Sequence, residues 1–164
     1  MKAIDLTEVT VVIPSYNSSA TIEAAVRSAL LQTEPVSVIV VDDGSKDDTV
    51  EKVQALAKDT SRLSVLVQSR NQGPSAARNR AIGAAGTSWI AILDGDDYMH
   101  PDRIRRMLEV ALTEDLDIVA DDLIRISAEP DPKTGTRLWS DTPIGLIHVD
   151  LARFARENID KYTG

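Results

Sequence analysis

The stretch Val36-Ser37-Val38-Ile39-Val40-Val41-Asp42-Asp43-Gly44 decides the fold. Its first six residues are apolar at all but Ser37, so there is no polar alternation along the run. A strand covered on both faces reads this way, and such strands belong to parallel sheets flanked by helices. The run then breaks into two carboxylates and a glycine, which is a turn signal.

The same grammar repeats on either side. Residues 9–13 form a short apolar run ended by Pro14. Ser18 or Ser19 can then cap a helix whose apolar positions are Ile22, Ala25, Val26, Ala29 and Leu30, the stripe of a helix with one buried face. After the turn, Asp47, Asp48 and Thr49 suit a helix N-terminus, and Val50, Val53, Leu56 and Ala57 are its inward stripe. Residues 63–67 read as a third strand, 68–75 as a polar loop and 76–85 as an Ala-rich helix stopped by Gly86. Residues 89–93 are a fourth strand. Pro101 and Asp102 open another helix with Ile104, Met107, Leu108, Ala111 and Leu112 inward. Residues 118–120 begin a fifth strand, 129–135 form a Pro/Asp/Gly loop, and 151–159 suit one more helix. Alternating strands and helices predict an α/β fold, a mostly parallel, doubly wound sheet.

Composition narrows the function. At 164 residues and 43% hydrophobic, the chain can build one sizeable core. A net charge of -8 argues against a nucleic-acid binder, which needs a basic face. Without cysteine there is no disulfide, thiolate metal site or cysteine nucleophile. The first eight residues lack the basic start and apolar core of a signal peptide, and no apolar run is long enough to span a membrane.

Ligands of doubly wound sheets bind beyond the C-terminal strand ends. Three candidate segments fall there: Asp42-Asp43, Asn71-Gln72-Gly73, and Ile92-Leu93-Asp94-Gly95-Asp96-Asp97. Asp94 and Asp96 are two apart, so on extended backbone they share a side. Paired carboxylates suit a hard cation such as Mg²⁺ or Mn²⁺, which suits a phosphorylated ligand. The plainer alternative is that these acids cap helices and shape turns. Asp43 could accept from a nucleobase or simply begin an Asp-Gly turn. Tyr16 could lie against a base or pack with a wet hydroxyl. Arg78 could meet a phosphate or base edge, or be a solvated surface residue. There is no P-loop, no G-x-G-x-x-G and no EF-hand loop. His100 and His148 lack metal-ligand spacing.

Taken together, four segments resemble the N-terminal half of family-2 inverting glycosyltransferases of the GT-A fold. They are Val11-Val12-Ile13-Pro14-Ser15-Tyr16-Asn17, Ile39-Val40-Val41-Asp42-Asp43-Gly44-Ser45 with Asp47 and Thr49, Asn71-Gln72-Gly73 with Ala77-Arg78-Asn79, and Ile92-Leu93-Asp94-Gly95-Asp96-Asp97 with Pro101. One departure is Ala81, where the family often has glycine. The resemblance implies that Asp43 holds uracil or another base, with Pro14 and Tyr16 lining its pocket and Arg78 nearby. Asp94-Gly95-Asp96 would be the D-x-D motif. Asp94 would face ribose or metal, and Asp96 would bind the Mn²⁺ or Mg²⁺ that bridges the donor diphosphate.

The resemblance also implies a metal-dependent hexosyltransferase. It would move a sugar from a nucleotide-sugar, UDP-sugar first among them, to a saccharide or lipid-linked acceptor in bacterial polysaccharide biosynthesis. The expected setting is cytoplasmic, extending to the inner face of the membrane. Domains of this type run longer than this chain, so residues 1–164 are expected to be the donor-binding part without the acceptor half, open to self-association. The general base is unassigned, with Asp121 and Asp122 at the end of the fifth strand as candidates. The alternatives are a non-catalytic nucleotide-binding module of the same fold and a nucleotidyltransferase, which would want a Gly-rich basic loop that residues 14–19 lack.

Overall fold

The computed structural model describes residues 9–121 and the backbone of 124–125 and 136–137. The expected loop at 129–135, the helix at 151–159, His148 and Asp122 lie outside the described residues. The chain divides into two compact units between Val119 and Ala120.

In the first unit β1 (Val9–Ser15), β2 (Ser37–Asp42), β3 (Leu63–Val67) and β4 (Trp89–Ile92) form one all-parallel sheet in the order β3-β2-β1-β4. Four helices alternate with them: α1 (Ile22–Leu30), α2 (Thr49–Ala57), α3 (Pro74–Ala84) and α4 (Arg103–Thr113). The two faces of β1 and β2 are sorted by residue parity. Val9, Val11, Ile13, Val38 and Val40 pack with α1, α2 and α4, while Val12, Ile39 and Val41 pack against Ala77 and Ala81 of α3. Each of the seven residues of β1 is buried, as expected of a strand covered on both faces, and Thr10 and Ser15 are its two polar members.

Chain order sets where the winding reverses. From β1 the chain steps outward to β2 and β3. It then returns over the opposite face through α3 and places β4 on the other side of β1. The direction of winding reverses between β1 and β4, so their C-terminal ends diverge into a crevice at this switch point. Ser15 and Ile92 close those two strands.

Two local readings change. The third helix begins at Pro74, two residues earlier than its apolar pattern suggests. Gly73 adopts φ +90° at the N-cap, and Pro74 needs no hydrogen-bond acceptor in the first turn. Residues 118–120 form no strand, and Ile118 is 85% exposed. Among the described residues these three, bracketed by Asp117 and Asp121, pair with no strand, so Asp121 does not end one. In the second unit, β5 (Ile124–Arg125) pairs antiparallel with β6 (Thr136–Arg137).

Candidate functional site

The first acidic strand end is buried and satisfied from within. Asp42 Oδ2 accepts from the backbone N–H of Gly44 and Ser45, at 3.0 and 2.9 Å, and Oδ1 accepts from the Ser45 hydroxyl. Asp43 turns the other way. Its Oδ1 accepts from Gln68 Nε2 at 2.6 Å and Gln72 N at 2.8 Å, and its Oδ2 from Gly73 N at 2.7 Å. Both residues are almost fully buried, at 1% and 3% exposure. Two carboxylate oxygens offer about four acceptor positions. Asp43 therefore uses three of these to shape the 68–73 loop. Gly44 makes that possible: at φ +77°, a Cβ there would come within 2.9 Å of the Arg70 carbonyl carbon.

The loops after β1 and β2 are latched together. Asn17 N donates to Ser45 Oγ at 2.8 Å, and Lys46 N donates to Asn17 Oδ1 at 2.8 Å, with Asn17 at φ 50°, a conformation asparagine tolerates. Ser18 N donates to Thr49 Oγ1, Ser19 N to Asp47 Oδ2, and the Thr49 hydroxyl to Asp47 Oδ1. These bonds, led by the one from Thr49, hold the Asp47 carboxyl down at about 2 from an ordinary 3.8. Asp47 and Thr49 read in sequence as helix-start residues. The latch was invisible there because its partners lie about thirty positions upstream, in a loop whose own polar residues suggest only a turn.

The second acidic strand end is built differently. Leu93 N continues the β4 ladder to the Val12 carbonyl at 3.1 Å. Gly95 then packs into the crevice: a Cβ there would sit 3.2 Å from the Pro14 carbonyl oxygen and 3.4 Å from Ile22 Cδ1. The Thr21 hydroxyl, just before α1, donates to the Gly95 carbonyl at 2.8 Å. Arg78 of α3 reaches Asp94 Oδ1 through Nη2 at 2.5 Å, while its Nε is buried with no partner among the described residues. Asp96 is exposed. Burial, then the charges of Asp96 and Asp94, push the Asp97 carboxyl above its usual range against the pull of Arg103.

The sequence candidates thus gather at one sheet edge. Pro14, Asp43, Arg78, Asp94, Gly95 and Asp96 all stand at C-terminal strand ends or on the helix that follows, and Asp43 N donates to the Ser15 carbonyl at 2.8 Å. Tyr16 follows β1 and is 45% exposed. Asp121 belongs to the second unit and is half-buried. Among the described residues no three His, Asp or Glu side chains converge as a complete metal cage, and no helix is long and apolar enough to cross a membrane. A cavity of about 280 Å³ lies at the opposite, N-terminal edge, lined by Thr10, Ser37, Arg62 and Thr87, away from this chemistry.

Comparison with known proteins shows the family and the fold. Residues 10–162 match the family model for glycosyl transferase family 2. The succinoglycan biosynthesis protein ExoO of Rhizobium meliloti is 41% identical over 154 residues, which are 93% of this chain but 43% of that protein. The chain therefore spans less than half the length of that relative. The crystal structure of S. aureus TarS 1-349 in complex with UDP-GlcNAc superposes with a TM-score of 0.60 at 28% identity, over 65% of this chain and 32% of that one. The mannosyltransferase PcManGT from Pyrobaculum calidifontis, in complex with GDP-Man and Mn²⁺, gives 0.56 at 29% identity over 64% and 31%. The sheet is that of the GT-A glycosyltransferases, and the chain belongs to glycosyl transferase family 2.

Proposed function

We propose that this chain is the donor-binding part of an inverting glycosyltransferase that takes a nucleotide-sugar, UDP-sugar first, and serves bacterial polysaccharide assembly. The observation that carries the reading is the Arg78–Asp94 ion pair beside an exposed Asp96 at the switch point. The similarity to a succinoglycan biosynthesis protein, and to structures holding UDP-GlcNAc and GDP-Man, supports it.

Each residue has a role that its surroundings permit. Asp43 has one acceptor position left, enough for a single N–H of a base edge. The exposed Tyr16 ring offers that base an apolar wall beside Pro14. Arg78, steered by Asp94, keeps an unpartnered Nε for a phosphate or base oxygen.

Asp96 and Asp94 would hold Mn²⁺ or Mg²⁺. The donor set fits: such ions take one or two carboxylates and complete their shell with phosphate oxygens and water, so a full protein cage is not required. The cation supplies neutralisation of the charge on the departing nucleoside diphosphate. The acceptor would be a saccharide or lipid-linked hydroxyl, met at the cytoplasmic face of the membrane. Asp121 and Asp122 stand as candidates for its base. A second reading, nucleotide binding without transfer, is favoured by the first of those two lying past the boundary of the unit that carries the donor edge.

Calorimetric titration with UDP, GDP and UDP-GlcNAc in Mn²⁺ tests the proposal. Binding of at least one ligand, weakened about tenfold or more by Arg78→Ala through loss of a charge-assisted contact, is the expected result. Absence of binding by all three would remove it. Binding without any transfer, in this chain and in a longer version carrying the C-terminal region, would establish the second reading.

A further inference from the structure

The acidic loop is held at both ends. Its upstream anchors are the β4 ladder and Thr21. Downstream, two polar side chains of α1 and its C-terminal end, Ser28 and Gln32, are buried at 2% and 7% exposure. Ser28 Oγ accepts from Met99 N at 3.0 Å. Gln32 Nε2 donates to the Ser28 carbonyl at 3.1 Å and to the His100 carbonyl at 2.9 Å, and Gln32 Oε1 accepts from Ile104 N at 3.1 Å. Beside it, Thr33 N donates to the Pro101 carbonyl at 2.9 Å.

Gln32 therefore bridges two helix ends. The Ser28 carbonyl lies in the last turn of α1 and the Ile104 N–H in the first turn of α4, positions whose backbone groups lack intrahelical partners. The N-cap residue of α4, Asp102, makes no side-chain cap bond, so Gln32 caps that helix from a different element. A buried amide with its oxygen and nitrogen both engaged is directional in a way that apolar packing is not. The stretch between Gly95 and Met99 is short, so fixing Met99 and His100 limits where Asp96 can stand.

We propose that Gln32, with Ser28, is a positioning residue for the acidic loop: it clamps the segment after Asp97 to α1 so that Asp96 is presented to the donor's cation. This rests on the donor-site reading. Partners that orient metal ligands typically change metal affinity about 10- to 100-fold when removed. Gln32→Met keeps the volume and removes both ends of the bridge, and Ser28→Ala removes the Met99 anchor alone. Val53→Ala in α2 serves as a destabilised control away from the loop.

The first readout is amide exchange by NMR. Gln32→Met should speed exchange at Ile104 while the centre of β1 stays protected; unchanged exchange at Ile104 would overturn the clamp. The second is UDP affinity across an Mn²⁺ series. The Mn²⁺ needed for half-maximal enhancement should rise about tenfold in Gln32→Met and by a smaller factor in Ser28→Ala, with no change in Val53→Ala. Equal losses in all three, or none in Gln32→Met, would overturn the positioning role. A clamp seen by exchange, in a protein whose UDP affinity ignores Mn²⁺, would sink the donor-site reading and the positioning role with it while leaving the bridge itself standing.

Discussion

Two strand ends in this molecule carry adjacent carboxylates, and they do opposite work. Asp42 at the end of β2 and Asp43 just after it are buried, and together they accept from four backbone N–H groups, the Ser45 hydroxyl and the Gln68 amide. Asp94, Asp96 and Asp97 after β4 crowd one another, with Arg78 paired to Asp94 and Asp96 left exposed. In the first group Asp42 holds its own turn, and Asp43 shapes the 68–73 loop with one acceptor position to spare. The second presents negative charge that Arg78 and Arg103 offset only in part. An acidic strand end is therefore no functional signal by itself; what distinguishes the two is whether the surrounding N–H groups have already satisfied the oxygens.

The contrast can be broken by stability measurements in urea. Asp42→Ala should cost the most, ~3 kcal/mol, because a buried and a part-buried N–H group and a hydroxyl lose their acceptor together. A cost below ~1 kcal/mol would mean that water replaces the carboxylate, and Asp42 does not hold its turn. Gly44→Ala comes next at ~2 kcal/mol, from its positive φ and the close approach of the Arg70 backbone.

Acid titration gives a smaller effect with a defined sign. The folded state holds the Asp47 carboxyl at about 2, below its ordinary 3.8. Its contribution is thus fully present above pH ~4 and is lost as pH falls toward ~2. The urea midpoint of wild type should fall across that window, and Asp47→Asn should remove its share of the fall. Unaltered pH dependence in Asp47→Asn would show that the latch does not rest on this carboxylate. Smallest of all, Asp96→Asn should change stability by less than ~0.5 kcal/mol, as exposed substitutions do.

Much of the fold was legible because parity and period leave marks in the sequence. The unbroken run through Val41 implied a strand buried on both faces, and Ile22, Ala25, Val26 and Ala29 named the inner face of α1. The sheet edge that gathers the site followed from strand-helix alternation alone. What the sequence hid were pairings across the chain. Asn17 with Ser45, Ser19 with Asp47, and Gln32 with Ile104 join small polar residues far apart in sequence, and each alone suggests a turn, a cap or a surface position. The short apolar run at 118–120 misled for the opposite reason. Its composition suits a strand, but among the described residues it pairs with none.

The claim that the second strand end is the one facing the cation is tested most directly by calorimetry of UDP binding in Mn²⁺ and in EDTA, on wild type and Asp96→Asn. Wild type should bind more tightly in Mn²⁺. Asp96→Asn, still folded, should bind with the weaker EDTA affinity in both buffers. Equal wild-type affinity with and without the cation, or an Asp96→Asn protein that keeps the full Mn²⁺ enhancement, would contradict that claim.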